Sequence, residues 1–481
     1  MAVCVALLAV ARSDGGARVK PRVIVAIDPI EIDENYTLID NDIDPNHPQT
    51  GDPDDIQSFV RFLVYSNEFR IEGLIAASER IEQNGKRVWL NRDYSLLRML
   101  DKYDAVAGNL RRHDPGYPTA DALRSKVRQG YSSGRPDGNP GHPGPGKKNA
   151  GSDLIIRVVD SSVEPVWYLD WVGQPQQFEL AQALWQVRES RSAADFAQFV
   201  SKIRAHFVMV DTRPGTPGKW LEDNVPELFL MGSRSGGTLA FRALSDRFLH
   251  RADSTLWNLD WLNTHVRRGH GALGAMAPTH TNPKKPGLHD HDSVTFLYLI
   301  PNGLGDIESP GMGSWGGRFR LEGGAKRWVP AGDRHPTSSD PAQSIYWAIG
   351  RHHRAIQNDF AARMDWCVRS YTGANHNPVV RLNGRGGRDV LRLAAAAGET
   401  VKLSAAGSSD PDNDSLSYHW WRYHEADSYP GDVSIENDRG RDAWFVAPAA
   451  ARGKQIHIVV EVTDNGEPPL TSYRRAIVTV E

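Results

Sequence analysis

The sequence predicts an α/β fold, a mostly parallel sheet with helices on both faces, followed by an all-β sandwich of immunoglobulin-like type. Three observations predict it. The short apolar run Arg22–Asp28 (RVIVAID) precedes a helical stripe and then a second apolar run, Ile71–Ser78 (IEGLIAAS), which together read as a βαβ unit. Strand-like and helix-like segments then keep alternating as far as Met231, the pattern of a parallel sheet covered on both faces. From Asn377 onward the pattern changes to short alternating runs divided by turns, as in an antiparallel sandwich.

The first helix carries the clearest signal. Ile56, Phe59, Val60, Leu63 and Val64 recur at i, i+3, i+4, i+7 and i+8, one apolar face of a helix packed on a core. Asp52-Pro53-Asp54-Asp55 stands at its start, with proline in the first turn. Further helices are expected at Tyr94–Tyr103 and Ala120–Val127, and a long Gly/Pro loop over 130–151. Val166–Val172 and His206–Val210 read as strands, with helices after each and a last strand at Leu228–Met231. Leu256–Val266 looks helical. Asp292 stands directly before an apolar segment that ends at Pro301. A long amphipathic helix begins with Asp340 as cap and presents Ile345, Ile349, Ile356, Phe360 and Met364 to the core, with Cys367 on the same side as a core thiol. In the sandwich, one of the consecutive Trp420 and Trp421 must face the core and the other must face outward, as an interdomain contact or as a sugar-stacking ring.

Length and composition bound the rest. A chain of 481 residues predicts two domains, placed at 21–374 and 375–481 after a signal-like segment at 1–20. The apolar run Met1–Ala11 ends in Ala9-Val10-Ala11, a small-x-small pattern that predicts export to the periplasm or outside the cell. No other stretch is long enough to span a bilayer. The formal charge of −3 and the interspersed acids and bases give no nucleic-acid footprint and no polybasic membrane patch. With fourteen Trp and fourteen Tyr, the chain suits a ring-shaped ligand such as a glycoside or polysaccharide, although most aromatics fill cores; self-association stays open.

The acidic residues point to a possible chemistry. In a βαβ unit, the C-terminal ends of both strands and the N-terminus of the helix meet at one sheet edge, so Asp28, Asp54 and Asp55 are delivered there together. No basic residue interrupts them, and a hard cation such as Ca²⁺ would make their proximity tolerable. The alternative is helix punctuation, since aspartates suit an N-terminal turn without any metal. Asp40, Asp42 and Asp44 do not form an EF-hand, because Pro45 and Gly51 occupy the positions that require Gly and Glu. Asp410–Asp414 (DPDND) reads as a hairpin turn.

Several separated stretches agree with one known pattern. RVIVAID, DPDDIQSFVRFLVYSNEFRIEGLIAAS, HDPGYP, GSDLII, LAQALWQVR, GHGALGAMAP, FLYLIPNGLGD, WGGRF and NHNPVVRLNG resemble the nucleoside-hydrolase-like family also known as cellulose-binding proteins. The resemblance implies the fold of inosine-uridine nucleoside hydrolases and a Ca²⁺ site. By position it implies Asp28, Asp55 and Asp292 as metal ligands, with the main-chain carbonyl of Trp171. Residues Pro29–Asp52 separate the first aspartate from the pair, which leaves Asp33 open as an alternative to Asp28. The implied activity is hydrolysis of an N-ribosyl-type glycosyl bond, with Asp28 taking the proton of the attacking water. Asp54 is expected to act in catalysis and to bind a sugar hydroxyl. His270, His280, His289 and His291 lie on loops from which a proton donor could come, with His270 assigned to catalysis and His291 to substrate binding. The rival reading is a carbohydrate-binding protein with little or no catalysis.

Overall fold

The computed structural model describes residues 20–27, 53–77, 80–83, 86–89, 94–131, 140–171, 177–234, 253–282, 285–323 and 327–481. The first part of the chain comprises β1 (Arg22–Ile27), α1 (Pro53–Val64), β2 (Arg70–Ala76), a hairpin of β3 (Arg80–Gln83) and β4 (Lys86–Trp89), α2 (Tyr94–His113), α3 (Ala120–Arg124) and β5 (Val127–Gln129). Next come α4 (Ala150–Asp160), β6 (Val166–Asp170), α5 (Phe178–Ser190), α6 (Ala193–Ser201), β7 (Ile203–Val210), α7 (Pro217–Asn224) and β8 (Phe229–Arg234). The module closes with α8 (Leu259–Leu262), α9 (Gly271–Ala275), β9 (His280–Asn282), β10 (Lys285–Pro286), α10 (Ser293–Leu297), β11 (Arg318–Glu322), β12 (Arg327–Ala331), α11 (Pro341–Gly350) and α12 (His353–Asp365).

Eight strands form one sheet in the order β11-β12-β8-β7-β6-β1-β2-β5. All its neighbours run parallel except the β11–β12 hairpin at one edge. Central β1 is buried throughout, as a strand covered on both faces must be. Its alternate residues serve two cores: Val23, Val25 and Ile27 face α1, α2, α10 and α12, whereas Ile24 and Ala26 face α4, α5, α6 and α7. The stripe Ile56, Phe59, Val60, Leu63 and Val64 of α1 is wholly buried in the first of these cores, as its spacing predicts.

Some elements differ from their sequence reading. The helix begun at Tyr94 runs on to His113, and Ala120–Val127 divides into a short helix and the edge strand β5. Leu256–Val266 is broken into a 3-10 turn, α8 and a π-helical turn, because the Asn258 side chain accepts from the Trp261 amide and restarts the helix there. The long helix after Asp340 is two helices, α11 and α12, divided at Arg351–His352, where buried His352 packs edge-on to Tyr473 of the following sandwich.

That sandwich contains β13 (Leu391–Ala395), β14 (Thr400–Ser404), β15 (Ser417–Arg422), β16 (Asp442–Val446), β17 (Gln455–Thr463) and β18 (Thr471–Val480). A four-stranded sheet, β13-β18-β17-β15, faces the pair β14-β16 over a core of its own. Its pairings are antiparallel except β13 with β18, which run parallel. Trp420 fills this core, and Trp421 points the other way, under the Arg351 guanidinium at 4.2 Å, as an interdomain contact. Asp410 Oδ1 accepts from the amides of Asp412 and Asp414 with Asn413 at φ 67°, so DPDND is a turn. Cys367 is buried among core side chains. No helix among the described residues is long and apolar enough to cross a membrane.

Candidate functional site

The C-terminal edge of the sheet is where the acids meet. The Ala77 amide donates to Ile27 and the Trp171 amide to Ala26, so β2 and β6 flank the end of β1. Asp28 and Asp33 lie outside the described residues. The first turn of α1 brings Asp54 and Asp55 to this edge. Ser58 lies four and three residues beyond them on the same helix face, and its hydroxyl donates to Asp292 Oδ2 at 3.1 Å. Asp55 and Asp292, both buried, therefore sit against the same stretch of α1. Asp54 pairs with His291, Oδ2 to Nδ1, at 3.0 Å. Trp171 joins them through its indole, which donates to Thr295 Oγ1 at 2.8 Å, and Thr295 in turn donates to the Asp292 carbonyl. Asp292 occupies the cap position of α10, yet its carboxylate turns to Ser58 rather than to the helix amides.

The segment carrying His291 and Asp292 is held by polar groups in the middle of α1. Gln57 donates to the carbonyls of Pro278 and Gly287 at 2.8 and 2.9 Å and accepts from the His289 amide at 2.6 Å. One turn further, fully buried Arg61 pairs with Asp290 at 2.5 Å and donates to Gln357 at 2.7 Å. Ser293 also donates to Asp290, at 2.7 Å. A buried ion pair adds little net stability but fixes a register, and this one fixes the segment from Gly287 to Asp292 against the helix. It also neutralises Asp290 beneath the three acids of the edge. Sequence reasoning missed Gln57, Ser58, Arg61 and Asp290. For Gln57, Ser58 and Arg61 the signal was polar residues inside a helix otherwise apolar enough to be buried all round; Asp290, in the segment before α10, carried no such signal.

His270 is placed elsewhere. It is bonded to Asp365 at 3.1 Å, in the last turn of α12. Two residues before Asp365, Arg363 reaches the Val64 carbonyl at the far end of α1. Ten residues of helix separate Val64 from Asp54, about 15 Å of rise. The reason is topological: α9 follows His270 directly and packs it towards the end of α12, whereas the chain returns to the acidic edge only at Pro278. The side chain of His280 lies outside the described residues; the His289 ring lies tilted against Trp257 and edge-on to His291.

As donors for a hard cation, Asp55 and Asp292 fit in kind, being buried carboxylates against one helix face. Among the described residues no three His, Cys, Asp or Glu side chains gather as a metal site. A cage would thus need Asp28 or main-chain oxygens as well.

A mostly parallel sheet that presents aspartates from its first helix and from a distant segment at one edge defines a nucleoside-hydrolase-like α/β protein, here followed by a sandwich. Residues 38–319 match the family described as cellulose-binding Sde182, nucleoside hydrolase-like domain, and residues 400–480 match the cellulose-binding protein Sde0182 C-terminal domain. The chain belongs to this family. Among solved structures it is similar to a nucleoside hydrolase-related protein from Saccharophagus degradans that is associated with carbohydrate metabolism. The identity is 34% over 96% of this chain and 100% of that one, with a TM-score of 0.73. A PKD domain from the KIAA 1837 protein matches 19% of this chain and 80% of its own length at 21% identity and TM-score 0.15, too slight a likeness to bear on function. The comparison with curated proteins finds no match.

Proposed function

We propose that this protein binds carbohydrate at the acidic sheet edge and hydrolyses a glycosyl bond there, outside the cell. The convergence of Asp54, Asp55, Asp292 and His291 on that edge carries the reading. The family's description as cellulose-binding supports a carbohydrate partner and an extracellular role.

Cleaving a glycosyl bond builds positive charge on the sugar, and preorganised carboxylates stabilise that charge. Asp54, oriented by His291, binds a sugar hydroxyl, and Asp28 takes the proton of the attacking water. His291 replaces His270 as the proton donor to the leaving group, since it is the histidine paired at this edge. Ca²⁺ would be held by Asp55 and Asp292 with Asp28 and the Trp171 carbonyl, and it would supply a fixed charge that orients water and sugar hydroxyls.

A second reading, binding without turnover, is favoured by the Asp54–His291 pair, which already satisfies part of the acid cluster internally. Retention on insoluble cellulose and turnover of a nucleoside and aryl-glycoside panel, each with and without chelator, separate the two. Hydrolysis lost in Asp55→Ala, together with a chelator-sensitive melting temperature, is the expected result. Full hydrolysis by Asp55→Ala would sink the proposal; cellulose retention with no turnover of any glycoside would leave the binding reading in its place.

A further inference from the structure

On the opposite face of the sheet from α1, helices α4 and α5 and the loop before α4 enclose an open groove of about 590 Å³. That size lies within the ~300–1,000 Å³ of small-ligand sites. Trp185 forms one wall, half-buried and anchored on the second core. Among the tryptophans whose side chains are described, Trp185 and Trp444 are the two that meet no other ring or cation and donate no indole hydrogen bond. Of these two, Trp185 lines a groove.

The groove is built in advance. Buried Gln182 accepts from the Gly144 amide at 2.9 Å and donates to the Gly144 carbonyl at 3.1 Å, which pins the loop as a rim. Gln186 accepts from Ser152 and donates to Asp153 across the floor. Such fixed walls lower the ordering cost of binding.

Two of its three cations are already paired within the protein. Lys148 pairs with Asp153 at 3.4 Å, and Arg191 makes a two-pronged pair with Asp160. Arg157 alone among the lining cations has no ion pair and no side-chain hydrogen bond. One free guanidinium beside an unpaired indole, in walls whose amides are already bonded to one another, suits a polyol: the apolar face of a pyranose lies on the indole and its hydroxyls reach Arg157.

We propose that the α4–α5 groove is a second saccharide-binding site, which takes a neutral β-linked glucan chain on Trp185 and Arg157, separate from the acidic edge. This rests on the carbohydrate reading above but not on hydrolysis. The test is calorimetric titration of the full chain with cellohexaose. Asp55→Ala should leave affinity at this groove unchanged, whereas Trp185→Ala and Arg157→Ala should each weaken it roughly tenfold, the size expected of a lost stacking or charge-assisted contact. Arg157 is exposed, so its variant serves even if Trp185→Ala fails to fold. Wild-type affinity in both groove variants would overturn the groove while leaving carbohydrate binding at the edge intact. No binding of cellohexaose by the wild type would overturn the groove; only if insoluble cellulose and the glycoside panel also failed would the carbohydrate reading fall with it.

Discussion

Glu179 shows what burial does to one residue. It stands in the first turn of α5, fully buried, with Oε1 accepting from the Tyr131 amide at 2.9 Å. Burial raises its carboxyl from the ordinary 4.5 to about 8, so the native state keeps it protonated where the unfolded chain ionises it. A raised folded pKa gives stability that is fully present below pH 4.5 and lost as pH rises to 8. Between pH 4 and pH 7 the group alone therefore costs about 3 kcal/mol. Glu179→Gln keeps an acceptor for Tyr131 without the ionisable proton. Urea unfolding should find that variant about 3 kcal/mol more stable than wild type at pH 7 and little changed at pH 4. An unaltered pH slope would show that Glu179 ionises normally.

The element that organises the site is α1, whose polar face does two jobs. Asp54, Asp55 and Ser58 serve the sheet edge, and Gln57 and Arg61 hold the segment that brings His291 and Asp292 to them. Arg61→Ala leaves Asp290 charged and buried, which should cost about 3–5 kcal/mol in denaturant unfolding. Replacing both partners, Arg61→Met with Asp290→Leu, should recover most of that loss, because neither desolvated charge remains. The double variant should still lose binding at the acidic edge, since apolar packing no longer fixes the register of the segment. Full binding by the double variant would show that Gln57 alone suffices. The apolar stripe of α1 was legible in the sequence because its period is local; the partners of Gln57 and Arg61 were not, because they come from positions more than 200 residues away.

At the scale of the molecule, the α/β module and the sandwich share buried chemistry. Asp333, fully buried, accepts from Arg318 and Arg351 of the module and from the Tyr423 hydroxyl of the sandwich at 2.7 Å. Burial and the Asp333 charge both push the Tyr423 hydroxyl up, so it stays a donor. Buried Arg475 donates to the Met312 carbonyl, and the Tyr473 amide donates to Asn302. Gly303, at φ 92°, permits that approach, because a Cβ there would collide with the Tyr473 carbonyl. Tyr423 and Tyr473 belong to the core of the module rather than to that of their own sandwich. Calorimetry should therefore show one unfolding transition for the whole chain. Tyr423→Phe, which removes a bond to a buried charge worth about 1.5–3 kcal/mol, should lower that transition without splitting it. Two separated transitions in the wild type would show that the junction does not couple the parts.

By itself the sequence determined the alternation of strands and helices along the sheet, the apolar stripe of α1 and the opposed facing of Trp420 and Trp421, because each follows from a repeat of 3.6 or 2 residues that neighbouring side chains reveal. It also named Asp54, Asp55, Asp292 and His291 as candidates, from residue type and resemblance. Only the tertiary structure decided that His291 pairs with Asp54 while His270 lies at the other end of α1, that Arg61 neutralises Asp290, and that Trp185 lines a groove without a ring partner. Those are contacts between residues far apart in the chain. They depend on how helices cross the sheet, and no local period encodes that.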